Sequence, residues 1–540
     1  MTVEKLITDH IDIWSSALQT RSTAGRGSNG KIDLYGIKKL RELILELAVR
    51  GKLVSQDPND EPASELLKRI ADEKAELVKQ GKIKKQKPLP EISEDEKPFE
   101  LPEGWEWTRL GDIVKVSSGD GLTSSQMEVS GDIPVYGGNG INGYHDSFNV
   151  SKRTLVIGRV GFYCGSIHVT PSRAWVTDNA FKTEFSEENL YLDFLRVLLT
   201  ITNLKENESA TAQPVISGKK IYPIVVAIPP YQEQRSIVKK VEELMFLCEQ
   251  LEQQSLTSLD AHQQLVETLL STLTDSQNAE ELAENWARIS QHFDTLFTTE
   301  ASIDALKQTI LQLAVMGKLV PQDPNDEPAS ELLKRIEQEK AQQIKEGKIK
   351  KKKSFVKKDD GKIYELPNGW VQCHLGDIVT ISSGDGLTSK QMAVDGNIPV
   401  YGGNGITGYH DNWNVDKPTI VIGRVGYYCG SVHITPSLAW VTDNAFITYY
   451  SKNNVDTCFL SLLLKGTNLK ENENATAQPV ISGSKIYPIV IMLPPLNEQK
   501  KIVKKFFELN CLCDTLKSRL QSAQRTQLNL ADALTDAALN

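Results

Sequence analysis

The spacing of apolar residues divides each half of the 540-residue chain into the same three kinds of segment. Apolar residues recur at intervals of three and four through Leu34–Val49, which predicts an amphipathic helix. Short β-type runs such as Thr154–Val160 and Gly165–Thr170 lie between glycine-rich turns, which predicts a small β-rich domain. Since a further helical stripe follows each of these domains, the pattern predicts an α+β protein with two similar halves.

The stripe after each β-rich domain has the 4-3-4-3 spacing of a coiled coil. Each copy is about 40 residues long, or roughly 60 Å if it is helical throughout. Two such helices in one chain most simply pack on each other, and the alternative is that each packs on its own domain. The stripe positions are Ile237, Val241, Leu244, Cys248 and Leu251 in the first copy, and Ile502, Phe506, Leu509, Cys513 and Leu516 in the second.

The chain is a duplication. Ile133–Asp146 reads IPVYGGNGINGYHD, and Ile398–Asp411, 265 residues later, reads IPVYGGNGITGYHD. Leu101–Lys240 and Leu366–Lys505 align without a gap and agree at most positions. A repeat this long indicates paired domains and not a solenoid, whose repeats are about 20–45 residues. The predicted order is a helical region with a linker, a globular domain, a central helical region, a second globular domain and a C-terminal helix, at residues 1–96, 97–230, 231–361, 362–495 and 496–540.

Composition changes this picture little. The chain is 40% apolar and 24% charged with a net charge of −9, and no apolar run reaches the roughly 20 residues of a membrane helix. The N-terminus lacks a signal-peptide pattern, and the seven cysteines form no C-x-x-C pair, so we expect a cytoplasmic protein with free thiols. Acidic residues concentrate between Asp275 and Asp304, and lysines between Lys350 and Lys353. A negative net charge therefore does not exclude a basic surface elsewhere on the chain.

Three patterns that suggest catalysis or metal binding fail on a required residue. Gly25–Lys31 has the glycine spacing of a phosphate-binding loop, but Ile32 follows where a magnesium-holding Ser or Thr is needed. Ile228–Tyr231, which reads IPPY, is similar to the Asn/Asp-Pro-Pro-aromatic motif of amino-methyltransferases, but isoleucine cannot accept a hydrogen bond from a target amino group. The repeated histidines, such as His145 and His168, have no partner at metal-ligand spacing. We therefore expect no catalytic residue, metal or cofactor in this chain.

Five loops shared by the two globular domains carry the candidate binding residues. In the first domain they read SSGDGLTS, YGGNG, IGRVG, TDNA and ATAQPVISG. Short polar side chains and arginine read base edges and hold phosphates, and glycine lets a backbone approach a groove closely. The alternative for any one residue is a structural role in its turn. The predicted DNA contacts are Ser118, Asp120, Thr123, Ser124, Tyr136, Asn139, Tyr144, Arg159, Asn179, Thr211 and Gln213 in the first domain, and Ser383, Asp385, Thr388, Ser389, Tyr401, Asn404, Tyr409, Arg424, Asn444, Thr476 and Gln478 in the second.

The order of the motifs resembles that of the specificity subunit of type I restriction–modification enzymes. LPEGW or LPNGW followed by LGDI opens each globular domain, IPVYGGNG with GYHD follows, and PPYQEQ or PPLNEQ closes it. Segments of the type LAVRGKLVSQDPNDEPASELL precede each domain. Each motif alone is weak, but their order, repeated twice over essentially the whole chain, is specific.

The resemblance implies that the globular domains are target recognition domains, each reading one half of a split site in double-stranded DNA. It also implies that the long helices pair antiparallel as a spacer, and that a pseudo-twofold axis relates the two domains. The chain would dock two methyltransferase subunits and support restriction subunits. S-adenosylmethionine, ATP and magnesium would then bind those partners and not this chain.

One feature departs from the family pattern. The two recognition domains of this family commonly differ, whereas here they nearly coincide. We therefore expect a palindromic or near-palindromic site, with an unread centre of roughly 6–7 bp if half-sites of ~3–4 bp lie one helical turn apart. Two other classes of protein stay open: a stand-alone adenine methyltransferase, which the missing acidic-Pro-Pro-aromatic motif disfavours, and a coiled-coil scaffold that binds protein and not DNA.

Overall fold

In the computed structural model of the chain, the described residues are 3–21, 31–83, 86–202, 204, 214–346, 366–393, 396–467, 469 and 480–539. They form two compact units, one of Met1–Ser258 together with Ala523–Asn540, and one of Leu259–Ser522. Because the long helices cross the boundaries between these units, each unit contains one globular domain and part of both long helices.

The first unit contains a helical region, the first globular domain and the start of a long helix. Its helices are α1 (Val3–Thr8), α2 (Ile11–Ser16), α3 (Tyr35–Val49), α4 (Ala63–Lys79), α5 (Leu110–Ile113), α6 (Leu192–Ile201), α7 (Gly218–Ile221) and the first part of α8 (Tyr231–Asp275). Its strands are β1 (Gln19–Arg21), β2 (Lys31–Asp33), β3 (Glu106–Arg109), β4 (Val114–Ser118), β5 (Ile133–Gly137), β6 (Gly140–His145), β7 (Leu155–Gly158), β8 (Ile167–Val169), β9 (Trp175–Val176), β10 (Ala180–Phe185) and β11 (Val225–Ile228).

The second unit repeats this order from α11 onward. Its further helices are α9 (Ala279–Gln291), α10 (Phe293–Leu296), α11 (Glu300–Val315), α12 (Ala329–Lys345), α13 (Leu375–Ile378), α14 (Thr457–Gly466), α15 (Gly483–Ile486) and the first part of α16 (Leu496–Leu539). Its strands are β12 (Val371–His374), β13 (Val379–Ser383), β14 (Ile398–Gly402), β15 (Gly405–His410), β16 (Ile420–Gly423), β17 (Val432–Ile434), β18 (Trp440–Val441), β19 (Ala445–Tyr450) and β20 (Val490–Leu493).

Each globular domain is built from three small sheets. In the first domain the strand orders are β4-β10-β7-β8, β6-β5-β9 and β11-β3, and in the second they are β13-β19-β16-β17, β15-β14-β18 and β12-β20. Apart from the parallel pairs β5–β9 and β14–β18, neighbouring strands are antiparallel. The repeated sequence therefore produces the same topology twice, which confirms the prediction of two similar mixed helix-and-sheet domains.

The first and last strands of each domain pair with each other, so the chain leaves the domain where it entered. The junction is held by a buried carboxylate in the EQ motif at the start of the long helix. The Glu233 carboxylate accepts hydrogen bonds from Trp105 Nε1 (3.0 Å) and Gln56 Nε2 (3.0 Å). In the second domain Glu498 accepts from Trp370 Nε1 (3.0 Å) and Gln322 Nε2 (3.1 Å). Three of the repeated motifs therefore meet at one point, and together they fix where the long helix starts.

The apolar stripe of α16 divides its packing between two partners. Ile502 lies in the core of the second globular domain, near Trp370 and Leu493. Cys513 lies in another cluster, which Val266 of α8 and Leu306 of α11 also join. The stripe therefore packs first on its own domain and then with the other long helix, so each of the two packing predictions holds for part of it. Within the second unit the C-terminal part of α8 meets the N-terminal half of α16, as in an antiparallel pair.

The C-terminal end of α16 packs on the helical region of the first unit. The C-terminal end of α8 packs on the equivalent region of the second unit in the same way. In the first unit Lys52 Nζ donates a hydrogen bond to the Leu539 carbonyl oxygen (2.6 Å). In the second unit Lys318, the counterpart of Lys52, donates to the Thr274 carbonyl oxygen (2.6 Å). Leu539 and Thr274 occupy equivalent positions near the ends of the two long helices. The duplication is therefore cyclic, since the last segment of the chain completes its first repeat.

Candidate nucleic-acid interface

Three of the predicted binding loops meet at one end of the four-stranded sheet of the first domain. Strand β10 pairs with β4 and with β7 in antiparallel register, so that Phe181 lies opposite Ser118 and Ala180 lies opposite Gly158. Because antiparallel neighbours run in opposite directions, the loops after β4 and β7 and the loop before β10 emerge together. This end of the sheet, here called the loop edge, comprises residues 117–124, 159–166 and 177–179 in the first domain, and 382–389, 424–431 and 442–444 in the second.

Arg159 links all three loops of the loop edge. Its Nη1 donates hydrogen bonds to Ser118 Oγ (3.3 Å) and to the Asp178 carbonyl oxygen (3.2 Å). Its guanidinium carbon lies 5.5 Å from the ring centroid of Phe181, a cation–π distance. The arginine backbone is also held, because its N–H donates to the Asn179 carbonyl oxygen (2.9 Å). The cation is therefore oriented before any ligand binds, as an anion site requires.

The YGGNG turn joins the loop edge because its glycines permit a close approach. A Cβ atom placed on Gly138 would lie 3.0 Å from the Val160 carbonyl oxygen, so a larger residue would push the turn away. Gly140 has φ of +88°, a conformation that favours glycine. Ser166 Oγ donates to the Gly138 carbonyl oxygen, which ties the turn to the β7–β8 loop. Exposed Asn139 is carried at the tip of this turn.

Some polar side chains of the SSGDGLTS loop form hydrogen bonds that stabilise the loop itself. The Asp120 carboxylate accepts a hydrogen bond from Asn149 Nδ2 (2.7 Å), and its carbonyl oxygen accepts one from Trp175 Nε1 (3.2 Å). Hydrogen bonding from Asn149, and then from Lys182, holds the pKa of Asp120 below its ordinary value, so the carboxylate stays charged. Thr123 binds Gln126 Oε1 through both its N–H (3.0 Å) and its hydroxyl (2.7 Å), which caps a short 3₁₀ turn.

The last predicted loop reaches the same edge from the other side. Val215 forms a β-bridge with Val160, Ile216 N–H donates to the Arg159 carbonyl oxygen (2.9 Å), and Gly161 N–H donates to the Pro214 carbonyl oxygen (2.9 Å). This part of ATAQPVISG therefore supports the arginine loop. The predicted contacts Thr211, Gln213, Thr476 and Gln478 lie outside the described residues.

The tyrosines predicted in this region differ in exposure. Tyr136 and its counterpart Tyr401 are buried, since each sits on the central strand of a three-stranded sheet. Burial raises the pKa of both phenols, and the Tyr136 hydroxyl faces the Val169 carbonyl oxygen at 3.4 Å. These two placements favour a packing role. Tyr144 is half-buried and Tyr409 exposed, so these rings keep surface that a ligand can reach.

The second domain reproduces this geometry. Arg424 Nη1 donates to Ser383 Oγ (3.1 Å) and to the Asp443 carbonyl oxygen (3.2 Å), and its guanidinium carbon lies 5.5 Å from the Phe446 centroid. Thr388 caps its turn through Gln391 at the same two distances, 3.0 and 2.7 Å. The side chains exposed at or beside the loop edges are Ser118, Asp120, Thr123, Ser124, Asn139 and Asn179 in the first domain, and Ser383, Asp385, Thr388, Ser389, Asn404 and Asn444 in the second.

One pair of aromatic residues at each loop edge was not among the predicted contacts. Phe162 and Tyr163, and their counterparts Tyr427 and Tyr428, are exposed aromatic residues directly after the arginine loop. Two adjacent aromatic residues inside a glycine-flanked turn, GFYCG or GYYCG, are a sequence signal that could have found them.

His168 of β8 and His433 of β17 are half-buried beside the loop edges. Burial lowers the pKa of His168 and His433, and each ring lies within hydrogen-bond distance of a serine of the β-turn that supports the loop edge. Among the described residues, no three His, Cys, Asp or Glu side chains are placed to hold a metal ion together. In the same part of the chain, no helix combines the length and the apolar character needed to cross a membrane.

The fold and the loop edge define a class of protein: a duplicated recognition protein that presents the same polar loops from two rigid sheets joined to long helices. The family model for the type I restriction modification DNA specificity domain matches residues 102–261 and 367–524. The type I restriction enzyme EcoEI specificity subunit of Escherichia coli is 50% identical over 597 aligned positions, and the EcoAI specificity subunit of the same organism is 49% identical over 593, with 100% of both chains covered each time. A chain from a solved structure on complex assembly and conformational transition of the type I R-M system is 18% identical, with a TM-score of 0.47, and covers 82% of this chain and 99% of that one.

The chain therefore belongs to the family of type I restriction–modification specificity subunits. This confirms the resemblance found in the order of its motifs. The family membership also confirms that the chain is a non-catalytic specificity subunit. The two alternative classes, a stand-alone methyltransferase and a scaffold without DNA binding, are therefore excluded.

Proposed function

We propose that this chain selects a bipartite DNA site for a type I restriction–modification complex, and that each loop edge reads one half of the site. The observation that carries the proposal is the pre-oriented arginine of each edge. Arg159 and Arg424 make the same contacts within 0.2 Å, at the point where the shared polar loops meet. An oriented guanidinium suits a phosphate oxygen, and the surrounding Ser, Thr and Asn side chains suit base edges.

The near identity of the two edges supports a palindromic or near-palindromic site. Equal loops on equal sheets present the same donors and acceptors to the groove. If a pseudo-twofold axis relates the two domains on the duplex, the second reads on the opposite strand the word that the first reads. The long helices would then set the unread gap between the half-sites.

Partners and cofactors follow from this role. We infer that two methyltransferase subunits, which use S-adenosylmethionine, dock on the chain, and that ATP- and magnesium-dependent restriction subunits join them. The domain limits 97–230 and 362–495, which enclose all strands from β3 to β11 and from β12 to β20, are proposed as the two target recognition domains. The cytoplasmic location expected from the sequence stays a prediction.

Methylation-sensitive sequencing of a host genome that carries this chain and its methyltransferase subunit tests the proposal. The expected result is one bipartite motif with methylated adenines, in which the second half-site is the reverse complement of the first at most positions. Two unrelated half-site words would contradict the symmetric reading.

The duplication offers a matched control. Because Leu101–Ile228 and Leu366–Leu493 have equal lengths, the first segment can be replaced by the second without changing the helices. A complex of the chimera with the methyltransferase subunits should methylate a full palindrome built from the second half-site, with the original gap. Loss of all site preference in a folded chimera would show that the domains do not read their half-sites independently.

A further inference from the structure

Each loop edge exposes a pair of aromatic rings in its β7–β8 or β16–β17 turn. Phe162 and Tyr163 are 74% and 50% exposed, and Tyr427 and Tyr428 are 43% and 51% exposed. Within each pair the ring centroids lie 5.1 Å apart at 87° and 90°, which is an edge-to-face arrangement. Exposed aromatic area is unfavourable in water, and a patch that persists in both copies of a duplicated domain suggests an interaction site.

The turns that carry these rings are firmly held. In the first domain Gly165 N–H donates to the Gly158 carbonyl oxygen (2.7 Å), Ser166 N–H donates to that of Tyr163 (3.1 Å), and Gly158 N–H donates to that of Ser166 (2.8 Å). Cys164, between the ring pair and the strand, is buried and anchors the turn. The second domain repeats these three bonds at 2.8, 3.1 and 2.8 Å. The rings are therefore presented by a fixed backbone, which lowers the entropy cost of binding through them.

The surroundings of the rings suit nucleic acid. Arg159 lies three residues before Phe162 in the same turn, with its guanidinium oriented by Ser118 and the Asp178 carbonyl oxygen. A cation that suits phosphate, in the same turn as apolar rings that can pack against sugars or wedge between base steps, is a combination that suits duplex DNA without reading its sequence. A protein partner would also cover apolar rings, but it would not account for the adjacent, pre-oriented arginine.

We propose that the ring pair of each recognition domain is a DNA-contacting element that packs against the sugars or wedges between base steps at its half-site. The pair adds affinity and leaves the choice of bases to the polar loops. This inference rests on the proposed function of the loop edges.

The test uses the complex of the full chain with its methyltransferase subunits, and as probe a duplex carrying the methylated motif mapped in the host genome. F162A/Y163A should weaken binding about tenfold to a hundredfold, the range for losing the burial of an aromatic side chain. The ratio of affinities for the mapped motif and for a motif with one altered half-site base should stay the same. Y427A/Y428A in the second domain should give a loss of similar size.

The chain itself supplies the matched control. F162Y introduces the residue that stands at the equivalent position of the second domain, so its affinity should stay within about twofold of the unmodified chain. Unfolding curves of all variants should coincide, because the substituted rings are exposed.

Three outcomes are distinguishable. Unchanged affinity in both alanine variants, while the unmodified complex binds the mapped duplex, overturns the inference and leaves the proposed function intact. Loss of methyltransferase subunits from the alanine variants in size-exclusion chromatography assigns the rings to a protein interface and also overturns it. Failure of the unmodified complex to prefer the mapped duplex over unrelated DNA would instead count against the proposed function.

Discussion

The two loop edges share a backbone and their charged residues, but the neighbouring strands β10 and β19 differ in charge beside them. In the first domain Lys182 Nζ lies 3.3 Å from the Asp120 carboxylate. In the second domain Ile447 occupies the position of Lys182, and Asp385 keeps the hydrogen bond from Asn414 Nδ2 (2.8 Å). The loop backbone is the same in both, since Asp120 and Asp385 N–H each donate across the loop at 3.0 Å. A substitution on the neighbouring strand has therefore changed the charge beside the edge without moving the loop.

A second difference lies beside the edges and concerns aromatic surface. Arg173 lies over the Phe148 ring at 4.7 Å in the first domain. Trp413 replaces that phenylalanine in the second domain, where Leu438 stands in place of the arginine. Near its loop edge the first domain thus has Lys182 and Arg173 where the second has Ile447 and Leu438, and the second has Lys390 where the first has Ser125. The shared loops therefore form a common frame, and under the proposed function a difference in half-site preference would come from the few side chains that differ in or around it.

The largest expected effect tests the shared part of the frame. Arg159→Ala and Arg424→Ala should each weaken binding to all sequences, because each removes an oriented cation that we propose contacts a phosphate. The slope of log affinity against log salt should fall by about one unit for each variant and about two for the double variant. Fluorescence titrations at several salt concentrations measure this.

Unequal effects of the two arginine variants would break the comparison, since they would mean that one edge does not engage DNA in the same way. A changed base preference instead of a changed slope would indicate a bidentate base contact, worth about 1–3 kcal/mol. Unchanged DNA binding in the folded double variant would contradict both the phosphate contact and the base contact.

A smaller effect is expected from exchanging the residue that differs on the neighbouring strand. Lys182→Ile gives the first domain the residue that the second has at this position, and Ile447→Lys does the reverse. Because Lys182 is partly exposed and paired with Asp120, the change should be about 0.2–1 kcal/mol in the affinity difference between the two half-sites. Competition between duplexes that differ in one half-site measures that difference.

The two exchanges should act in opposite directions on this affinity difference. If Lys182→Ile leaves it unchanged, the lysine contributes only to the turn around Asp120, and the half-site preferences arise elsewhere. The combined variant Lys182→Ile/Ile447→Lys keeps the total charge and only exchanges the positions of the lysine and the isoleucine. It should therefore reverse the affinity difference between the two half-sites.

The sequence predicted the architecture better than the site. The duplication, the paired β-rich domains and the long helix that begins after Pro230 all follow from repeats, periodicity and proline, which act locally along the chain. Which side of a strand is buried depends on packing between sheets. For that reason Tyr136 was predicted as a DNA contact although its ring lies in the core.

Polar loop residues show a second limit of sequence reasoning. Thr123 and Asp120 have side chains suited to DNA, yet both bind their own surroundings, Gln126 in one case and Asn149 in the other. A sequence gives the hydrogen-bonding capacity of a side chain but not the direction in which it is used. For the same reason the support of Arg159 by Phe181, which comes from a different strand, could not be foreseen.

The last expected effect is on stability and not on DNA binding, and concerns the buried carboxylates that join each domain to its long helix. Burial raises the pKa of Glu233 and of Glu498 above the ordinary value, although the hydrogen bonds from a glutamine and a tryptophan act in the opposite direction. A raised pKa means that the folded state holds the proton more tightly than the unfolded chain. The stability from this group is therefore fully present below the ordinary pKa of about 4.3 and is lost as the pH rises through the folded value.

A glutamine at either position cannot ionise and so lacks this pH dependence. Going from about pH 4 to pH 7, the free energy of unfolding of Glu233→Gln should improve relative to the unmodified chain, by about 1.4 kcal/mol for each unit by which the pKa is raised. The constant loss of one accepted hydrogen bond, about 1 kcal/mol, does not change with pH and cancels in this comparison. Urea denaturation at both pH values measures it.

The two domains should differ in this experiment because of one nearby residue. Lys501 lowers the pKa of Glu498, whereas the equivalent position in the first half is Ser236. The pH-dependent gain should therefore be smaller for Glu498→Gln than for Glu233→Gln, and Lys501→Ser should enlarge it, because the raised pKa of Glu498 then lacks its opposing charge. Equal gains before and after Lys501→Ser would show that burial alone sets both carboxylates, and the difference between the two junctions would then have no electrostatic consequence.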